Sequence, residues 1–406
     1  MTKVPPGCPF TLYWQDGFLR YDFGPDHPFT EVSRHLSVRL LEALGFFRPR
    51  GTRSLPLLKD PGPPASREEI ETFHTPGYLR RLERINEGTR TVLLDGGDTP
   101  GFPGCLDASA RIVGGTLRAL DSVLGGDTLH AFQPAGGLHH AAPDRASGFC
   151  ILNDLAIGLR RALDGPRPVE RVAYIDVDAH HGDGVMYGLY GDARVLDIDF
   201  HQEGRTLVPG TGRMEETGEG SARGLKVNVP LPPLAGDDAF LPLFQRIVPP
   251  LLRDFRPGLI LMQTGVDGHV GDPLAHLQYT PRAYESAVRT IHDLSHELCG
   301  GRLVVTGGGG YLASNVARIY ARTAALLSGQ TLFQGPEEPL PEAWREEFSR
   351  RMAGEEAPTC WGEIPPVMPS PWNPLDTHRV VQELERALGR ALPPVPDDAG
   401  SSPGAR

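Results

Sequence analysis

Five ionisable side chains crowd into eight positions of this chain: Asp176, Asp178, His180, His181 and Asp183, within the stretch Arg171 to Val185. Carboxylates and imidazoles this close are costly to desolvate unless a cation compensates them, so the cluster reads as a metal site. A solvated acidic loop is the plainer alternative, but such a loop needs neither a tandem histidine nor an apolar run leading into it. A second pair, His139-His140, lies in a glycine-flanked turn and would serve the proton transfers of hydrolysis. Taken alone, that pair fits two structural histidines equally well. Asp176 and Asp183 gain a use beside it, because a carboxylate on the ring nitrogen facing away from a reaction fixes the tautomer and raises basicity. Tyr311 follows four glycines. A phosphate cradle is a poor reading there: no Lys-Ser/Thr pair follows, and Leu312 stands where GxGxxG requires its last glycine. A glycine run carrying a phenol fits delivery of a hydroxyl to an oxyanion.

The apolar runs show how these groups are to be held. Residues 172–175, 259–263 and 303–306 have the length and composition of buried parallel strands, and each ends in polar or glycine residues. In open α/β sheets ligands bind at that carboxyl edge. The edge would gather Asp178, His180 and Asp267, one nitrogen and two carboxylate ligands with a fourth position open, which is the plan of a catalytic zinc. A metal so held polarises a carbonyl and lowers the pKa of bound water. A further strand is expected over 195–200, followed by His201 and the turn Pro209-Gly-Thr-Gly212. Helices are expected after the N-cap Thr30, after the capping box Ser66–Glu69, over 78–85, 107–124 and 281–298, after the cap Asn153, and over 377–388. Arg34, in the first of these, is expected to be solvated. Leu94 to Leu106, rich in glycine and proline with Asp95, Asp98 and Phe102, suits a ligand rim. Strands alternating with helices imply an α/β fold with a mainly parallel sheet covered on both faces.

The 406 residues divide into a domain over 1–330, a proline-rich extension over 331–390 bearing Trp344, Trp361 and Trp372, and a tail over 391–406. The extension is expected to pack back on the core as an edge cover, and the tail to be disordered. A net charge of −11 argues against nucleic-acid binding and suits cationic substrates such as lysine-bearing segments. No run reads as a signal peptide or a membrane span, so a cytoplasmic protein is expected. The five cysteines are scattered, odd in number and never in a CxxC pair, which reads as reduced thiols.

Six segments occur in order: GGLHHA, GFCILND, YIDVDAHHGDGV, PGTG, GVDGHVGDPL and GGGGY. Together they resemble the zinc-dependent histone deacetylase superfamily, from about Tyr21 to Ala325, and Gly24-Pro-Asp-His-Pro-Phe29 with the C-terminal extension resembles its bacterial acetoin-utilisation deacetylases. The resemblance implies an arginase/deacetylase-like three-layer α/β/α sandwich that hydrolyses N-ε-acetyl-lysine on proteins. It implies one zinc per chain on Asp178, His180 and Asp267, and Tyr311 on the acetyl carbonyl. It assigns His140 as general base and then acid, paired with Asp183, and His139 as its electrostatic partner, paired with Asp176. Asp98 matches a rim carboxylate for the substrate backbone, with Gly148, Phe149, His201 and Leu274 at the substrate channel and its rim. A metabolic enzyme such as an acyl-CoA synthetase is the implied substrate.

Two positions depart from the family pattern. Val208 or Leu207 stands where many members carry a second channel aromatic, which would widen the channel and either admit longer acyl groups or bind acetyl-lysine less tightly. Asp199 replaces a serine at a structural potassium site shared with main-chain oxygens of Asp176, Asp178, His180 and Phe200, where a carboxylate can still bind the cation. Small acetylated amines such as acetylpolyamines are a competing substrate class. The arginase branch bridges two manganese ions and has no use for Tyr311. A silent acyl-lysine binder would need no proton-transfer groups. The sequence leaves the oligomeric state open.

Overall fold

The computed structural model describes residues 10–48, 56–352 and 354–393, so Cys8 and the tail from 394 onward lie outside the described residues. In chain order the strands are β1 (Phe10–Tyr13), β2 (Leu57–Lys59), β3 (Val92–Leu93), β4 (Pro100–Gly101), β5 (His130–Gln133), β6 (Val172–Asp176), β7 (Val195–Gln202), β8 (Lys226–Leu231), β9 (Leu259–Gln263) and β10 (Leu303–Thr306). The helices are α1 (Glu31–Ala43), α2 (Arg67–Ile70), α3 (Pro76–Asn86), α4 (Cys105–Gly125), α5 (Asp154–Asp164), α6 (Asp183–Gly188), α7 (Asp237–Phe255), α8 (Pro281–Cys299), α9 (Ala313–Ser328), α10 (Glu342–Arg351) and α11 (Pro374–Leu388).

Eight strands form one sheet in the order β2-β1-β5-β10-β9-β6-β7-β8, and every neighbouring pair is parallel. The central strands are buried along their whole length, as continuous Val/Ile/Leu runs require when both faces are covered. One set of helices, α1, α7, α8 and α9, packs in succession; α3, α4 and α5 form another, giving three layers. Strand register places Gln133, Thr306, Gln263, Asp176 and Asp199 side by side in one row at the carboxyl edge. The loops leaving β5, β6, β9 and β10 therefore start from a common line, and they carry His139, Asp178, Asp267 and Tyr311.

The local caps follow the residue chemistry. Thr30 caps α1 through Val32 N–H, Ser66 and Glu69 form the capping box of α2, and Asn153 caps α5 through Ala156 N–H. Helix α7 carries Pro242, Pro249 and Pro250 in its interior. An interior proline costs a helix about 3 kcal/mol, but each fully buried large apolar side chain contributes about 1.5–3 kcal/mol. Phe240, Leu243, Phe244, Ile247, Val248, Leu251 and Leu252 are all buried along α7, so packing wins.

Arg34 is not solvated. It is 1% exposed, its guanidinium donates to the carbonyls of Thr30, Gly308 and Gly310, and it lies over the Phe29 ring at 4.5 Å. Helical spacing alone had put it outside; the carbonyls of the glycine loop, remote in sequence, draw it in. The proline-rich extension contains α10, with Trp344 buried and donating its indole N–H to Leu36 O at 2.8 Å. Trp361 is buried and stacks on Phe333 at 4.5 Å, and its carbonyl accepts from Arg322. Glu355 accepts the N–H groups of Ala313 and Ser314 at 3.0 and 2.6 Å, capping α9 from another part of the chain. Among the described residues the four cysteines are free thiols, and no helix is long and apolar enough to cross a membrane.

Candidate active site and metal centre

Where β6 ends, the backbone turns through Val177 to Gly182 and brings Asp178 and His180 against Asp267 from the loop after β9. His180 Nδ1 lies 2.8 Å from Asp267 Oδ2 and 3.3 Å from Asp178 Oδ1. One ligand atom from each residue lies within 4.8 Å of the others, and all three residues are buried. Asp178 Oδ2 accepts from Gln263 Nε2 and from Gly309 N–H, both at 2.8 Å, and Asp267 Oδ1 accepts Ala179 N–H at 2.7 Å, so both carboxylates are locked. Burial opposes charge on His180, but the Asp267 and Asp178 carboxylates outweigh it and raise the imidazole to about 10. Burial likewise works against the Asp178 anion, yet His139 and His180 hold it well below the usual carboxylate range. Two buried carboxylates thus call for positive charge at this point, and a divalent cation would supply it in place of the imidazole proton. The donor set fits zinc.

Beside this trio the two loop histidines face each other, His139 Nε2 to His140 Nε2 at 3.0 Å. Each outward nitrogen meets a carboxylate: His139 Nδ1 meets Asp176 Oδ2 at 2.8 Å, and His140 Nδ1 meets Asp183 Oδ1 at 2.7 Å. The loop is fixed from beneath, where Asn153 Nδ2 donates to the carbonyls of His139 and Ala141 and Asp154 accepts Leu138 N–H. Although the two residues are adjacent, their titration diverges. Burial would lower His139, but Asp176 and Asp178 raise it to about 9. His140 is lowered, by burial and then by the positive charge of His139. One imidazole is therefore held cationic and its neighbour neutral, a division suited to acid–base work.

Tyr311 comes from the loop after β10. Its backbone N–H donates to Asp272 Oδ2 at 2.8 Å, and its ring lies 5.8 Å from Phe149 and 6.4 Å from His180. Burial, then the carboxylates of Asp267, Asp178 and Asp272, push the phenol well above its ordinary pKa, so it stays protonated. Gly309 in this loop has to be glycine: a Cβ there would sit 2.0 Å from Asp267 Oδ2. A narrow cavity of about 10 Å³, room for about one water, is bounded by His139, His140, Asp178, Gly148, Gly309 and Tyr311. A much larger concavity, about 1030 Å³, lies elsewhere, between residues 203–215 and α11, and contains none of these groups.

The rim residues are placed unevenly. Gly148, at φ +54°, packs so closely on His140 that a Cβ would approach its ring to 2.4 Å. Phe149 also has positive φ, held by its N–H on Thr99 Oγ1 at 3.0 Å and its carbonyl on Tyr21 OH at 2.6 Å. Asp98 tips the loop of the β3–β4 hairpin and accepts from the same Thr99 hydroxyl at 3.3 Å, linking the rim carboxylate to Phe149. Leu274 is half-buried, with its N–H on Asp272 Oδ1 at 2.9 Å. Two residues expected at the channel stand apart from that cavity. His201 is fully buried, because β7 continues two residues beyond Phe200, and its ring lies against His181. Val208 is 66% exposed in a turn. His181 itself points away from the trio, to Thr211 Oγ1 at 2.8 Å. Phe200 is buried in β7, and Asp199 Oδ2 accepts Gly182 N–H at 2.7 Å while its Oδ1 is buried with no hydrogen-bond partner.

Several supporting residues escaped the sequence reading. Asp272, Gln263 and Arg34 act through a hydrogen bond to a group distant in sequence, and no local spacing announces that; Tyr174 donates its hydroxyl to Asp176 only two residues on, from within the apolar run of β6. Asp272 and Tyr174 lie inside the segments GVDGHVGDPL and YIDVDAHHGDGV, where residue type alone gave neither a role.

Residues 33–327 match the family model described as "Histone deacetylase domain". The chain is 34% identical to "Acetoin utilization protein AcuC" of Bacillus subtilis (strain 168) over 382 residues, 92% of this chain and 95% of the relative. It is 32% identical to the Staphylococcus xylosus protein of the same name, over 85% of this chain and 88% of the relative. With the fold, the buried Asp-His-Asp trio and the facing histidines already in place, the match over most of the chain settles its kinship: it belongs to the histone deacetylase family and is a deacetylase hydrolase.

Proposed function

We propose that this chain hydrolyses N-ε-acetyl-lysine amides on proteins, using a single zinc held by Asp178, His180 and Asp267. The observation that carries the reading is the facing pair His139 and His140, each backed by its own carboxylate, beside a buried trio that requires a cation. When bound, the ion supplies Lewis-acid polarisation of the acetyl carbonyl and of water. Neutral His140, steadied by Asp183, takes the proton released as water adds to the carbonyl. It returns that proton to the lysine nitrogen as the C–N bond breaks, leaving acetate and a free amine. His139, kept cationic by Asp176, balances the negative charge that develops, and the protonated Tyr311 hydroxyl donates to the carbonyl oxygen. Asp98 and Phe149, tied together through Thr99, would hold the peptide backbone and the lysine stem.

The relatives' name places them in acetoin utilisation, and an acetylated metabolic enzyme such as an acyl-CoA synthetase is the substrate we favour. Asp199 supports a potassium site beside Asp176, since its buried, unpartnered oxygen calls for a cation. The decisive experiment is release of acetate from an acetyl-lysine peptide, with chelator and then with zinc restored. Activity lost and recovered is the expected result. A zinc-loaded protein inactive on the peptide but active on acetylspermidine or a longer acyl-lysine would overturn the substrate assignment.

A further inference from the structure

At the opposite, amino-terminal edge of the sheet three histidines meet. His130 opens β5, while His292 and His296 are four residues apart on α8, a spacing that puts both rings on one helical face. The ring centroids are 4.6 Å apart for His130 and His292, 5.0 Å for His130 and His296, and 4.7 Å for His292 and His296. One nitrogen of each lies within 4.8 Å of the other two, and the Nε2 atoms of His130 and His296 are 3.1 Å apart. A tetrahedral zinc with Zn–N bonds of about 2.0–2.1 Å holds its ligand nitrogens about 3.3 Å apart, so this pair already stands near coordination spacing.

His292 supplies the second, independent observation. It is 2% exposed, and its Nε2 is buried with no hydrogen-bond partner. Its other nitrogen faces Asp293 Oδ1 at 3.4 Å, the carboxylate-behind-imidazole arrangement that orients metal-binding histidines. Burial lowers all three pKa values, His130 to about 2 with its histidine neighbours as the next cause, and the neutral imidazole is the ligating form. An all-imidazole donor set suits zinc and excludes magnesium or calcium, which take oxygen ligands.

We propose that His130, His292 and His296 form a second zinc-binding site, remote from the Asp178 centre, with the partly exposed His296 admitting the ion from solvent. Such an ion would clip β5 to α8. The loop after β5 carries His139 and His140, and α8 runs through β10 to Tyr311, so the clip joins the roots of two segments that meet at the active site.

The test counts metal in the full chain after zinc loading and dialysis, in the wild type, Asp178→Asn, His296→Gln and the double variant. The expected result is two zinc ions in the wild type, one in each single variant and none in the double. His296→Gln should keep its deacetylase turnover. In the Asp178→Asn background zinc should raise the thermal midpoint, and His296→Gln should abolish that response. Asp178→Asn free of zinc, with no change in midpoint on zinc addition, would overturn the proposal. So would cobalt-loaded Asp178→Asn without the visible bands of tetrahedral imidazole coordination, a readout that does not depend on the His296 variant folding.

Discussion

Asp272 holds Tyr311 by its backbone: the carboxylate accepts the Tyr311 N–H at 2.8 Å with one oxygen and the Leu274 N–H at 2.9 Å with the other. The phenol is thus aimed by a residue in a different loop. Removing the acceptor in Asp272→Ala frees the segment carrying the hydroxyl. Misplacement on the scale of an ångström costs about 100-fold in rate, so kcat should fall about 10- to 100-fold with KM nearly unchanged. Steady-state kinetics beside a metal count check this, since zinc content should not change.

The divided titration of the two histidines predicts a bell-shaped pH profile. His140 must be neutral to accept a proton, so kcat/KM rises with pH through its lowered pKa, on the acid side of ordinary histidine. His139 must be cationic, so the rate falls as pH rises through its raised pKa, on the basic side of ordinary histidine. Asp176→Asn removes the main support of that cation and should draw the basic limb to lower pH. His140→Ala should lose about 10²–10⁴ in kcat. A basic limb unmoved in Asp176→Asn would contradict the assignment of His139.

Sequence patterning made the middle of the sheet legible and left its flanks hidden. The four strands expected from the sequence are β6, β7, β9 and β10, and these lie side by side in the sheet. Their Val/Ile/Leu runs are what burial on both faces demands. By contrast β8, reading KVNVPL, includes a lysine, an asparagine and a proline, and β5, reading HAFQ, begins and ends in polar residues. Helix α7 was masked by its prolines. The grouping of Asp178, His180 and Asp267 was legible because these residues sit at strand ends, where parallel topology brings them together. Arg34 and Asp272 were not, because their partners are carbonyl and N–H groups that leave no mark on residue type.

Asp199 predicts a cation dependence. If potassium occupies the space beside its unpartnered oxygen, replacing sodium with potassium should raise the thermal midpoint of the wild type and leave Asp199→Asn unchanged. Equal midpoints in the two salts for the wild type would remove the site.

Glu355 predicts that the C-terminal extension matters to the core. Glu355→Ala strips a side-chain acceptor from two N–H groups at the start of α9, a loss of about 1 kcal/mol on the scale of helix caps. Truncation at Gln330 should be far worse, since it also removes the buried Trp344 and Trp361. Thermal unfolding of both variants decides; a truncated chain as stable and active as the whole would show the extension to be dispensable.

The Glu355 cap also sets an order in time. During synthesis the chain has delivered every proposed reacting side chain once Tyr311 has emerged, yet the carboxylate that finishes the helix behind it comes 41 residues after Ser314. A nascent or prematurely terminated product that stops short of Glu355 therefore holds the whole chemical inventory in front of a helix that still lacks its cap.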